Sequence, residues 1–155
     1  MKKDKTIYIG SDHAGFKLKE KIKKFLIKEK YKIEDLGPYK YNPTDDYPDY
    51  ALKVCKKVLK TDGKGILICG SGQGMSIVAN KIPGIYAIIC WDEVSAKEYL
   101  GSSVLCLGGK IIKPDMAKKI VKIWLETPPT SEKRHIRRIN KIKAIEKKFW
   151  KLLKI

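Results

Sequence analysis

The chain has 155 residues and a formal charge of +17, from 34 basic and 17 acidic side chains, with 43% hydrophobic residues. That length and apolar content suit one domain over residues 1–155 with a full core, and the sequence holds no apolar run long enough to cross a membrane. Only three basic residues are arginines, and the lysines spread along the whole chain without a nucleic-acid recognition motif, so the charge reads as a lysine bias and neither nucleic acid nor membrane is expected as a partner.

Taken in chain order, Met1 to Lys5 lead into Ile7-Tyr8-Ile9, a run too short for a signal peptide. Thr6 to Gly10 reads as a short buried strand. From Phe16 to Glu29 the residues Leu18, Ile22, Phe25 and Leu26 follow helical spacing, with lysines expected on the opposite, solvated face. Lys32 to Leu36 is a second strand, closed by Gly37-Pro38. Tyr39 to Pro48 is a polar loop, and Asp49 is placed to cap a helix to Leu59. Gly65 to Cys69 is apolar throughout, as a central strand would be. Gly70 to Gly74 form a glycine-rich loop before a helix over Met75 to Lys81. Tyr86 to Cys90 is a fourth strand, Val94 to Leu100 a short helix, and Val104 to Leu107 a fifth strand. Pro114 opens a helix to Glu126, and a last helix covers Ser131 to Leu153. Alternating strands and helices predict a three-layer α/β/α sandwich around a five-stranded parallel sheet. Ligands of such sheets bind at the carboxyl ends of the strands.

Three stretches carry candidate chemistry. Cys69-Gly-Ser-Gly-Gln-Gly74 joins a buried strand to a helix, and its glycines let backbone N–H groups converge as an anion cradle. It is neither a dinucleotide fingerprint, since Met75 stands where the third glycine would fall, nor a Walker loop. The plainer reading is a tight turn beside a small buried cysteine. Asp12 and His13 follow the first strand and would project over the same edge, or else serve as a helix cap and a solvated imidazole. All three arginines, Arg134, Arg137 and Arg138, fall within five residues; Arg134 and Arg138 share a helix face and offer the planar fork that suits phosphate or carboxylate, or else belong to a solvated basic helix. The four cysteines, Cys55, Cys69, Cys90 and Cys106, lack CxxC spacing. Neither a metal site nor disulfides are expected, and free thiols point to the cytoplasm.

Gly10-Ser-Asp-His-Ala-Gly-Phe16, Thr44-Asp-Asp-Tyr-Pro48, Ile68-Cys-Gly-Ser-Gly-Gln-Gly74 with Ala79-Asn-Lys81, and Arg134-His-x-x-Arg138 together resemble the type B ribose-5-phosphate isomerase family, to about Lys147. The resemblance implies a cofactor-free aldose–ketose isomerase working through a cis-enediolate. It implies that Cys69 is the base and that Ser71 assists at the sugar oxygens. The backbone of Gly70, Gly72, Gln73 and Gly74 would hold the oxyanion, and Asp12 and Tyr47 would bind sugar hydroxyls. His13, Arg134 and Arg138 would bind the phosphate, with some groups supplied across a subunit interface. The last helix, apolar at Ile136, Ile139, Ile142, Phe149, Leu152 and Leu153, would then serve oligomer packing.

Two departures stand out. The segment Ser95 to Val104 is about three residues short and holds neither the His nor the Asn of the family, whose His is thought to open the sugar ring; Tyr99, Ser102 and Ser103 are poor replacements because their hydroxyls titrate far from neutrality. Lys110 stands where many relatives carry Arg. Both features also resemble the Cys-bearing subunit of galactose-6-phosphate isomerase. The expected substrate is therefore a phosphorylated pentose, with three alternatives: a hexose phosphate handled with a paralogous subunit, a tetrose phosphate, or sugar-phosphate binding without turnover.

Overall fold

A computed structural model describes residues 5–98 and 101–152. Its elements are β1 (Ile7–Ser11), α1 (Phe16–Lys28), β2 (Ile33–Asp35), α2 (Tyr47–Thr61), β3 (Lys64–Cys69), α3 (Gln73–Asn80), β4 (Ala87–Ile89), α4 (Glu93–Lys97), β5 (Val104–Gly108), α5 (Pro114–Glu126) and α6 (Lys133–Leu152). The strands form one parallel sheet in the order β2-β1-β3-β5-β4. The predicted sandwich and the central place of the apolar strand both hold.

Side chains alternate across a strand, and here the alternation sorts the core into two layers. Ile7, Ile9, Ile66, Ile68, Leu105 and Leu107 pack with Leu18 and Ile22 of α1 and Ile120 and Trp124 of α5. Tyr8, Leu67, Cys69, Val104 and Cys106 pack on the other face with Val54, Cys55 and Val58 of α2 and with Met75 and Ala79 of α3. Both faces of the three middle strands are thus covered, which is why they read as unbroken apolar runs.

Several boundaries move. The residue capping α2 is Asp46, not Asp49; Tyr47 and Pro48 open the helix and Asp49 lies in its first turn. Proline suits that first turn, where its missing N–H has no helical partner. α3 starts two residues earlier than expected, at Gln73, because Gly72 takes a left-handed conformation (φ 84°) that ends the loop there. Tyr99, Leu100 and Leu153, which the sequence reading placed in helices, lie outside the described residues. The expectation that the lysines of α1 face solvent fails at Lys19, which is wholly buried. α6 buries none of its residues, and Ile142, Ile145, Phe149 and Leu152 stay half-exposed or more.

Candidate active site

The strand order places β1 beside β3, with β2 on one side and β5 and β4 on the other. The chain therefore reverses its direction of winding between β1 and β3, and the crevice outside their carboxyl ends is where ligands bind in such sheets. Three loops meet there. Asp12 N–H donates to the Ile68 carbonyl at 3.2 Å, and Gly109 N–H donates to the Cys69 carbonyl at 2.7 Å. Gly15 lies so close to β3 that a Cβ on it would stand 2.3 Å from the Ile68 oxygen. Only a residue without a side chain permits that approach, and it brings the Asp12–His13 segment against the end of β3.

Cys69 ends β3 and is 5% exposed. Its Sγ accepts a hydrogen bond from Gly72 N–H at 3.1 Å, and Ser71 Oγ accepts one from Gln73 N–H at 3.3 Å. The first N–H groups of a helix lack intrahelical acceptors. Gly74 and Met75, next along α3, carry the two that follow those already taken. Cys55, Cys90 and Cys106 are each fully buried. Burial pushes Cys55 up to about 12 and Cys90 up to about 11, and holds Cys106 well above its ordinary range. None of these three is a base at neutral pH.

The β1 loop contributes two groups. Asp12 is 6% exposed, and its Oδ1 accepts from Gly15 N–H at 3.0 Å. His13 is gripped by Asp45, whose Oδ1 lies 2.8 Å from both the backbone N and Nδ1 of His13. The bond to Asp45 raises the His13 pKa above its ordinary 6.5. Asp45 is itself 5% exposed along its side chain, and its Oδ2 is buried without a partner. The sequence motif contained Asp45 but gave no sign of this role; only the fold shows that the β2–α2 loop returns to β1.

Tyr47 and Lys110 complete the rim. A Cβ on Gly74 would stand 2.6 Å from Tyr47 Cζ, so the phenol ring lies directly on the glycine-rich loop. Lys110 is exposed, donates its N–H to the Gly70 carbonyl at 3.0 Å, and runs its aliphatic stem past Gly70. Cys69, Gly70, Ser71, Gly72, Gln73, Gly74, Asp12, His13, Tyr47 and Lys110 are thus brought together at one end of the sheet. Among the described residues no cluster of His, Cys, Asp and Glu has the make-up of a metal site.

Arg134 and Arg138 are not brought there. α5 runs back from the carboxyl end of β5, and α6 then lies against residues that precede strands. Glu146 accepts from Gly84 N–H at 2.9 Å and from the Tyr86 hydroxyl at 3.2 Å, both just before β4. Ile139 reaches Gly101, before β5. Arg134 Nε pairs with Glu132 at 2.6 Å and lines a hollow of about 290 Å³ with Lys97, Thr127 and His135. The arginines of α6 therefore sit toward the amino ends of the strands, and Cys69 sits at the carboxyl ends. Ser102 and Ser103 lie at the amino edge too. Ser102 Oγ accepts from Trp124 Nε1 at 2.9 Å and Ser103 Oγ from Tyr86 N–H at 3.3 Å.

Fold and loops define an α/β protein with three loops meeting at its switch point, and comparison with known proteins places it further. The family model described as Ribose/Galactose Isomerase matches residues 7–142. Ribose-5-phosphate isomerase B of Escherichia coli (strain K12) is 39% identical over 149 residues, covering 93% of this chain and 98% of that protein. The structure of the Clostridium thermocellum ribose-5-phosphate isomerase B superposes with a TM-score of 0.87 at 42% identity, over 93% of this chain and 99% of that one. That of the Mycoplasma genitalium ribose-5-phosphate isomerase B, with bound ribulose-5-phosphate, gives a TM-score of 0.88 at 38% identity, over 93% and 97%. The chain belongs to the Ribose/Galactose Isomerase family, as its motifs imply. Among the described residues no helix is long and apolar enough to cross a membrane.

Proposed function

We propose that this chain interconverts ribose 5-phosphate and ribulose 5-phosphate in the cytoplasm, as a single-domain subunit of a homo-oligomer whose active site is shared between two chains. The observation that carries the reading is Cys69, held at the end of the central strand with its sulfur on the Gly72 N–H, beside Asp12, His13 and the first turn of α3. Solved relatives of known name, one with ribulose-5-phosphate bound, support it.

The chemistry requires only proton transfers. The Cys69 thiolate takes the proton from C2 of the open-chain aldose, and the freed electron pair forms the C1–C2 double bond while O1 takes the negative charge. Moving a proton next to a carbonyl needs both a base and a fixed set of donors for the developing oxyanion. N–H groups of the Gly70–Gly74 loop and the start of α3 supply the donors. Ser71 passes a proton from O2 to O1, and Cys69 returns its proton to C1, which leaves the ketose. Asp12 and Tyr47 bind sugar hydroxyls, with Gln73 and Lys110 at the rim, and His13 holds the phosphate together with Arg134 and Arg138 of a second chain.

The test is an aldose–ketose assay of the purified chain with tetrose, pentose and hexose phosphates. The highest kcat/KM is expected with ribose 5-phosphate. Preference for another chain length would replace the substrate named here, and no turnover of any of them would refute the enzyme reading.

The His13–Asp45 pair gives a pH prediction. His13 is protonated below its raised pKa, and a cation is what the phosphate needs. KM for ribose 5-phosphate should stay low through 6.5, the unperturbed value, and rise as pH passes the raised one. In Asp45→Asn the same rise should begin at lower pH, with kcat changed little. Superimposable KM profiles for parent and variant would remove His13 from the phosphate site.

A further inference from the structure

A charged cluster lies beneath the β1 loop and has no part in the chemistry above. Lys19 is wholly buried. Its Nζ stands 2.7 Å from Asp35 Oδ2 and 2.8 Å from Glu20 Oε1. Lys23 Nζ meets the same two oxygens at 2.7 and 2.8 Å. Asp35 ends β2, and its other oxygen, Oδ1, accepts from Gly37 N–H at 2.9 Å. Burial by itself would raise the Asp35 pKa, but the bonds from Lys19, Lys23 and Gly37 outweigh it and leave it lowered. Gly37 then passes the connection on, since its carbonyl accepts from Ser11 N–H at 3.0 Å. Ser11 is the residue before Asp12.

The loop between β2 and α2 is therefore attached to the β1 loop at two places. Its root is the Gly37 carbonyl on Ser11, and its far end is Asp45 on His13. Aromatic contacts lie between them: the Tyr41 ring meets Phe16 at 6.2 Å and His13 at 6.5 Å between centroids. A buried ion pair is a poor device for stability, because desolvating the charges uses up most of what their attraction returns. An apolar pair of the same volume would fill this space at least as well, but it could not accept the Gly37 N–H.

We propose that Lys19 and Asp35 are positioning residues: the buried pair fixes Gly37, Gly37 fixes Ser11, and the two attachments together set Asp12 and His13 over Cys69. The inference rests on the functional reading above for its kinetic consequence, but not for its structural one.

The experiment compares two double variants with the parent. K19M/D35L replaces the pair by apolar side chains and leaves Gly37 N–H without its acceptor. K19M/D35N removes the charges and keeps an amide oxygen for it. K19M/D35N should melt at or above the parent temperature, as replaced buried ion pairs often do, whereas K19M/D35L should stay folded but melt lower, because the buried Gly37 N–H is left unpaired. In K19M/D35L, kcat/KM for ribose 5-phosphate should fall about ten- to a hundredfold, the scale of an ångström's misplacement, and K19M/D35N should recover most of it. The second readout needs no turnover: the His13 imidazole, followed by proton NMR, should titrate closer to 6.5 in K19M/D35L than in the parent. A folded K19M/D35L with the parent's His13 titration overturns the proposal. A parent without sugar-phosphate turnover, but with a His13 titration that moves in the variant, refutes the functional reading and leaves the positioning intact. If K19M/D35L does not fold, K19M/D35A, which admits water beside Lys23, is read in the same way.

Discussion

Replacing Cys69 with alanine is expected to lower kcat by at least about a hundredfold, the loss typical of a general base, while KM changes little. The thiol is the single titratable group that ends the central strand at the switch point, and its contact with Gly72 N–H fixes the sulfur in place. Alanine takes away the thiol and leaves the loop, because Gly72 and α3 are held by their own backbone geometry. Cys69→Ser separates sulfur chemistry from shape. Its hydroxyl can still accept from Gly72, yet it is a far weaker base at neutral pH, so its kcat should fall nearly as far. Cys55, Cys90 and Cys106 offer no substitute, since burial holds each of them protonated. Steady-state assays with ribose 5-phosphate decide the matter. Near-parental kcat in either variant would refute Cys69 as the base.

Mixing two inactive variants should restore activity. Arg134 and Arg138 start a helix that lies at the amino ends of the strands, whereas Cys69 lies at their carboxyl ends. No single chain folded in this way can place those guanidinium groups on a phosphate lying near its own Cys69. A second chain can, and a symmetric dimer would then hold two sites, each built from both subunits. Cys69→Ala and an Arg134→Ala, Arg138→Ala double variant should each be nearly inactive alone. Unfolded together and refolded, half of the dimers carry one chain of each kind, with one complete site in two, so activity should return to about a quarter of the parental level. Recovery near zero, with dimers confirmed by sedimentation, would show that the arginines act within their own chain or not at all.

Much of the fold was legible because the relevant signals are local. Five short apolar runs alternating with helical spacing require a covered parallel sheet, and glycine-rich stretches at the strand ends mark loops on the edge where such sheets bind ligands. Cys69, Asp12 and His13 stood out because Cys69 ends a buried strand and Asp12 and His13 come straight after one. What remained hidden depends on long-range approach. Asp45 is 32 positions from His13, and nothing in the spacing reveals that the loop carrying it folds back. Lys19 sits next to the apolar stripe of α1, and a lysine there reads as solvated unless one knows that Asp35 ends the neighbouring strand. The arginine pair was visible as a candidate anion ligand, but its end of the sheet was not, because α6 buries none of its residues and leaves no pattern that fixes its place.

The strand order also has a consequence in time. A chain made from its amino end presents β1, β2 and β3 first, and these already lie side by side as a three-stranded unit with α1 and α2. β4 comes next, but its one neighbour in the sheet is β5, which is made later. From the moment Ala87–Ile89 leaves the ribosome until Val104–Gly108 follows it, that strand has no ladder to join. Unpaired strand edges are where unfinished chains stick to one another. The sheet can close only when β5 slots between β3 and β4.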